Sequence, residues 1–494
     1  MFEKITPEEA GIPSSKIQEF ISLLERRGAS THSVLMMRGG KILAEYYWKP
    51  FNADFCHRMY SQTKSFVGVA IGLLLDEGKL SLDDKIVSHF PEKIEREIPH
   101  YLAELSIREM LTMTTAGTNE NWFTYGNPDR TNLYMNTNKA NHPAGTLWEY
   151  DSAGSQVLSA LVEKLSGMSL LEYLRLKFFN KMGTFKTAEM LKTPNGDTWG
   201  DSAMVCTTRD IASFGHLCMR YGNWEGEQLI SREYMKEATS RVVDNNEHAQ
   251  GGVFQHGYGY QIWRTEQNGF AFVGMGHQFT VCLPDRDFVF TVTSDNPGPS
   301  SACIREQMIS GLFDIVIDSM QDAPLAKNEA AEAALAKATE NLTLRAVKGA
   351  DDSSFREELS GKVYVPGENP MGITKLSFVF NSASEGELHY TNAQGDKVIP
   401  FGINHNVYGK FPELGYSDGF GAAVTTDGFM YNDAVSAAWV EEKKLMLYVQ
   451  VIDKYFGTMS AIFSFKGDEL YARFAKTAEN FFNEYEGRLV AKMQ

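Results

Sequence analysis

The sequence predicts an α+β fold followed by a separate β-rich, barrel-like domain, and three observations carry that reading. The chain has 494 residues, more than one ordinary core holds. Its middle reads as helices while strand-like segments stand on both sides, so an antiparallel sheet must be assembled from distant segments and flanked by helices. Composition then changes after about residue 322, and short turn-bounded strands recur to the end.

The elements follow in order. SSKIQEFISLLERRG has the spacing of an amphipathic helix, and HSVLMMRGGKILAEYYWKP is a strand pair around a Gly39-Gly40 turn. From Phe66 to Leu75 apolar residues are almost continuous, which predicts a helix buried on nearly all sides. SAGSQVLSALVEKLSG is a further helix closed by Gly167, and Thr207-x-x-Asp210 is a capping box opening another through IASFGHLCMRYG. GYGYQIWRT and FAFVGMGHQFTVCLPDRDFVFTVTSD return to β-branched and aromatic alternation.

These elements fill residues 1–322. An Ala/Glu/Lys helix and the polar stretch KGADDSSFREE make residues 323–358 a connection, and residues 359–494 hold about eight strands. They are KVYVP, TKLSFVF, GELHYTN, DKVIPF, AAVTTDG, KLMLYVQVI, MSAIFSF and ELYARF.

Charge narrows the function classes. The net charge is −16 without basic runs, which argues against nucleic-acid and anionic-membrane partners. The N-terminus lacks a charged n-region before an apolar segment, and no stretch is long enough to span a bilayer, so the expected location is cytoplasmic. The five cysteines have no Cys-x-x-Cys spacing and read as reduced thiols. The 11 histidines show no His-x-x-x-His or His-Glu-x-x-His pattern, and no phosphate loop is present, so no metal or cofactor is expected.

Chemistry enters at MYSQTKSFVGVAIGLLLDEGK. Lys64 follows Ser61 by three residues at the mouth of the apolar helix, the only Ser-x-x-Lys in the chain. If the helix begins at Ser61, both side chains share a face and the amine reaches the hydroxyl. A neutral lysine there acts as base, and the helix start favours both the neutral amine and the serine alkoxide. The Ser61 N–H can also donate to an oxyanion. The alternative is an ordinary N-cap serine beside a solvated lysine. A second cluster, Tyr150-Asp151-Ser152, opens the next helix, where a phenol near a lysine can relay a proton.

With these motifs in order, the chain resembles the serine hydrolases related to class C β-lactamases, a family that includes penicillin-binding proteins, D-amino-acid peptidases and carboxylesterases. Ser61-x-x-Lys64, SIREMLTMTTAG, PAGTLWEYDSAG, CTTRDIASFGHL, GYGYQIW and VGMGHQFTVCLPDRDFVFTVTSD carry the resemblance, over most of residues 1–320.

It implies a β-lactamase/transpeptidase-like domain with a helical subdomain, and an acyl-enzyme route with Ser61 as nucleophile and Lys64 and Tyr150 handling protons. It also implies Met275 N–H as second oxyanion donor and Ser152, Phe272 and Gly274 as substrate contacts. The third motif departs from the family: Phe272-Val273-Gly274 stands where a Lys or His, any residue and Gly are usual, and His277 does not replace the missing cation. That leans toward a neutral small ester or amide over a β-lactam or a D-amino-acid peptide. A D-amino-acid peptidase, a β-lactamase or penicillin-binding protein, and a non-catalytic acyl- or ligand-binding relative remain alternatives.

Some relatives carry a lipocalin-like barrel after the hydrolase domain, and the C-terminal strands fit one that packs and shapes an active-site rim. Trp122, Phe123, Tyr125 and Tyr134 are candidates for a substrate pocket or for burial on the scaffold. The expected partner is a small-molecule or short-peptide substrate. The sequence leaves the oligomeric state open.

Overall fold

The computed structural model describes residues 2–117, 129–137, 139–246, 252–296, 301–413, 429–476 and 485–494. The chain forms two compact units, 1–27, 31–294 and 300–342 in the first and 28–30, 295–299 and 343–494 in the second.

The first unit is built on a six-stranded antiparallel sheet in the order Lys41–Tyr47, Thr31–Arg38, Phe288–Ser294, Gln278–Leu283, Phe270–Gly274, Trp263–Arg264. An N-terminal hairpin thus joins a meander from residues more than 200 positions away, as the alternation predicts. GYGYQIWRT is the exception, since only Trp263–Arg264 is strand. Gln261 there has φ 60° and spends its side chain on the Met110 and Leu111 carbonyls and the Ser155 hydroxyl.

Helix Thr63–Asp76 is the buried centre of this unit, with every residue from Thr63 to Leu74 buried. Two glycines permit that depth. A Cβ on Gly68 would lie 2.7 Å from the Tyr260 carbonyl oxygen, and one on Gly72 would lie 2.2 Å from Cε1 of Tyr234. Phe66 stacks on Phe214 with centroids 3.8 Å apart, fixing this helix to helix Thr208–Met219. The Thr207–Asp210 capping box forms as expected, and Gly167 ends helix Ser152–Ser166 in the left-handed conformation.

The expected connection over residues 323–358 is not a separate element. Helix Glu329–Thr339 packs along helix Ser14–Arg26 and buries Leu335, so it belongs to the first unit. Ala350 and helix Phe355–Leu359 belong to the second unit, where Ala350 bridges to Trp439 and Phe355 is buried. The last crossing of the chain from the first unit to the second falls between Leu342 and Thr343.

Among the described residues the second unit is a meander of ten strands from Val363–Pro366 to Gly487–Met493. The last strand pairs with the first, and Gly402-Ile403 pairs in parallel with Ser436-Ala437, closing nine strands into a barrel. Its interior is side chains: Phe378, Phe401, Phe463, Trp439 and Tyr364 are fully or almost fully buried. The described strands include Val407–Lys410, Asn432–Glu441 and Gly487–Met493, which were not expected, while AAVTTDG lies outside the described residues. Among the described residues no helix is long and apolar enough to cross a membrane, and no group of His, Cys, Asp and Glu is arranged to hold a metal.

Candidate active site

Ser61 stands in a single 3-10 turn, Tyr60–Gln62, which leads into the buried helix at Thr63. The helix therefore begins two residues later than the spacing suggests, and Ser61 is not its N-cap. Tyr60 adopts φ 49°, a left-handed backbone that costs an aromatic residue roughly 1–3 kcal/mol and persists only where the surroundings impose it.

Those surroundings are specific. Arg58 pairs with Val205 in a short antiparallel bridge, Met59 N–H donates to the Met204 carbonyl at 2.7 Å, and Thr63 Oγ1 donates to the Tyr60 carbonyl at 2.6 Å. On the other side Thr280 Oγ1 donates to Gln62 Oε1 at 2.9 Å. From His57 to Leu74 every residue except Ser61 is buried, so the turn presents one hydroxyl and hides the rest.

Lys64 points back at it. Its Nζ lies 3.0 Å from Ser61 Oγ and donates to the Asp201 carbonyl at 2.9 Å, with Asp201 Oδ2 at 3.6 Å. The lysine side chain is 1% exposed, which removes the alternative of a solvated first-turn residue. Burial pushes the Asp201 carboxyl up, against the opposing pull of Lys64, Arg130 and Arg58.

Tyr150 completes the group. Lys64 Nζ sits 5.0 Å from the centroid of its ring, whose far side stacks on Trp263. The next residue, Asp151, caps helix Ser152–Ser166 by accepting from Gly154 N–H at 2.9 Å, and Thr115 Oγ1 donates to its other oxygen at 3.2 Å. Burial pushes the Asp151 carboxyl up to about 6 despite these donors. Ser152 is half-buried at the first turn of that helix.

Strand Phe270–Gly274 runs beside the serine turn. Gly274 is where it comes closest, and a Cβ there would lie 2.3 Å from the Met59 carbonyl oxygen. Met275 follows with its side chain 46% exposed, while Gln278 Nε2 holds its carbonyl at 3.1 Å and Ser294 Oγ donates to the Gly276 and His277 carbonyls.

One expectation needs correction. Phe272 is not placed to touch substrate: it is 0% exposed, with Phe214 and Phe270 against its ring, because strand alternation turns it into the aromatic core. Of the two roles open to Tyr134, the structure shows burial on the scaffold, its hydroxyl donating to Asp151 Oδ2 at 3.4 Å. Trp122, Phe123 and Tyr125 lie outside the described residues. His277 turns to Ser301 Oγ at 3.0 Å, and burial followed by the Arg305 charge pushes its imidazole down to about 3.

Asp201 is the residue the sequence did not reveal. It stands 137 positions from Lys64, in no recognisable motif, and its only local signal is a charged side chain directly before the apolar segment SAMVC.

The family model described as Beta-lactamase matches residues 17–309, more than half of the chain. The chain belongs to the β-lactamase family. Among the family's curated members, it is 24% identical over 318 residues to the 6-aminohexanoate-dimer hydrolase of Paenarthrobacter ureafaciens, covering 60% of this chain and 81% of that one. It is also 23% identical over 190 residues to penicillin-binding protein 4* of Bacillus subtilis, covering 35% and 40%.

Among solved β-lactamase-family structures, "Putative 6-aminohexanoate-dimer hydrolase from Bacillus anthracis" superposes with a TM-score of 0.52 at 19% identity, covering 64% of this chain and 87% of that one. At that identity the likeness concerns the fold. The protein is thus a β-lactamase-family hydrolase at the level of its family.

Proposed function

We propose that the protein is a serine hydrolase that cleaves a small, neutral ester or amide through an acyl-enzyme on Ser61. The observation that carries this reading is the 3.0 Å approach of a buried lysine amine to the one hydroxyl of the turn that is not fully buried. Nucleophile and base within hydrogen-bond reach, with the base itself oriented, is the arrangement such chemistry requires.

Ser61 Oγ attacks the carbonyl carbon and its proton passes to Lys64 Nζ. The oxyanion takes hydrogen bonds from the N–H groups of Ser61 and Met275, at the junction that Gly274 makes possible. Collapse breaks the bond to the leaving group, which receives the proton from Lys64 with Tyr150 as relay. Water then attacks the acyl carbon, gives its proton to the same pair, and frees Ser61 as the acid departs. Ser152, two residues after Tyr150 at the start of helix Ser152–Ser166, serves as a contact to the bound acyl group.

The side of the substrate is argued from what strand Phe270–Gly274 lacks. Its third-from-last position offers a buried phenyl ring in place of a cation, so no charge there holds a substrate carboxylate. A relative named for hydrolysing a 6-aminohexanoate dimer keeps an amide among the candidate substrates.

The test is labelling with a fluorophosphonate probe beside turnover of short-chain p-nitrophenyl esters, in the wild type and in Ser61→Ala and Lys64→Ala. Labelling of the wild type at Ser61, with turnover lowered about 10³-fold or more in both variants, is expected. Labelling without turnover points to an acyl-binding relative, and an unlabelled wild type overturns Ser61 as nucleophile.

A further inference from the structure

Lys64 makes its two fixed contacts away from Ser61 with one residue. Its amine donates to the Asp201 carbonyl at 2.9 Å and faces the Asp201 carboxylate at 3.6 Å, in a place where both side chains are nearly without solvent, 1% and 4% exposed. At such depth charges are weakly screened, so an ammonium and its counter-charge feel one another far more strongly than on a surface.

The rest of the neighbourhood is cationic. The Arg58 guanidinium donates to Ser202, through Nε to the carbonyl at 2.8 Å and through Nη2 to the hydroxyl at 3.0 Å. Arg58 and Arg130 each lie 4.5 Å from the Trp199 ring centroid, and both act electrostatically on Asp201. Tyr150 covers the amine from the remaining side. Asp201 is therefore the carboxylate that faces Lys64, Arg58 and Arg130 together.

Its carboxylate is not spent on a helix cap. Asp151 and Asp210 cap helices and hold backbone N–H groups. The Asp201 carboxylate instead answers to the Trp199 side chain and to the three cations around it.

We propose that Asp201 is the positioning residue of a Ser61–Lys64–Asp201 relay: it aims the Lys64 amine at Ser61 Oγ and supplies the counter-charge for the ammonium that forms when Lys64 takes the serine proton. The proposal rests on the hydrolase reading above and adds a third member to it. No proton leaves the trio in that step: the O–H bond of Ser61 breaks as the Ser61 Oγ–acyl carbon bond forms, and an N–H bond forms on Lys64. The carboxylate only stabilises the product, as the orienting acid of other catalytic triads does.

The experiment compares pH profiles of kcat/KM for p-nitrophenyl acetate in the wild type, Asp201→Asn, Asp201→Ser and Asp201→Glu, with melting temperature and fluorophosphonate labelling of each. Two changes are expected in both uncharged variants. The plateau of kcat falls about 10²-fold with KM nearly constant, since Asp201 does not touch substrate. The acid limb moves to lower pH, because an ammonium beside Arg58 and Arg130 without its counter-charge gives up its proton more readily. Asp201→Glu, which keeps the charge, returns the limb toward its wild-type position.

A purely structural role would lower melting temperature and rate together and leave the limb in place, and that result overturns the proposal. So does an active wild type whose Asp201→Asn and Asp201→Ser variants retain both plateau and limb, while the hydrolase reading survives. A wild type with neither labelling nor turnover overturns the hydrolase reading and the relay together.

Discussion

The α-carbon of Gly274 lies so close to Met59 that a Cβ would stand 2.3 Å from its carbonyl oxygen, and 3.1 Å from the Cβ of Gln278. The first neighbour is backbone and cannot rotate away. Met59 is in turn held by the Met204 carbonyl, two residues before the proposed nucleophile.

Gly274→Ala must then push the strand away from the serine turn. The expected result is a fall of about 10²-fold in kcat/KM for a p-nitrophenyl ester, as for an ångström-scale misplacement of reacting groups. Overpacking adds a stability loss of roughly 1–3 kcal/mol, read from urea unfolding. An unchanged kcat/KM would separate this strand from the site.

Gly72 tests the burial of the helix itself. Alanine there gains helix propensity of about 1 kcal/mol. Its methyl group would, however, fall 2.2 Å from Cε1 of Tyr234, a buried ring whose hydroxyl donates to the Gly68 carbonyl at 2.5 Å. Packing should win, so Gly72→Ala is expected to lower stability by roughly 1–3 kcal/mol in a urea melt. A more stable variant would show that Tyr234 yields at no cost.

The parts of the site that were legible in the sequence are those written locally. Ser61, Lys64 and Tyr150 lie in short motifs at helix starts, and the structure brings the three together. The Lys64–Asp201 contact is set by a chain crossing between distant segments and has no period or cap to announce it. The left-handed Tyr60 has none either, because the strained turn is imposed by Met204 and Thr63 contacts rather than by a turn-forming residue. Phe272 was placed by motif position alone, although alternation along Phe270–Gly274 decides which face it takes. In the barrel, strand Asn432–Glu441 escaped because only two of its seven buried positions, Val435 and Trp439, are strong strand formers, and its place is set by neighbouring strands.

Asp151 offers a test of burial against hydrogen bonding at the same helix start as Tyr150. An unfolded aspartate titrates near 3.9, whereas burial raises this carboxyl to about 6. The folded state thus binds the proton more tightly. The corresponding stabilisation is fully present below the unfolded value and is lost as pH rises through 6, a difference of roughly 3 kcal/mol for two pKa units. Asp151→Asn keeps an acceptor for Gly154 N–H and does not ionise. The stability of the variant relative to the wild type, from urea unfolding at each pH, should therefore improve by roughly 3 kcal/mol between pH 4 and pH 8. Because this is a difference between two proteins, other titrating groups such as Asp295 and Asp433, each raised to about 7 by burial, cancel. A difference independent of pH would mean that the Gly154, Thr115 and Tyr134 donors outweigh desolvation and keep the cap ionised throughout.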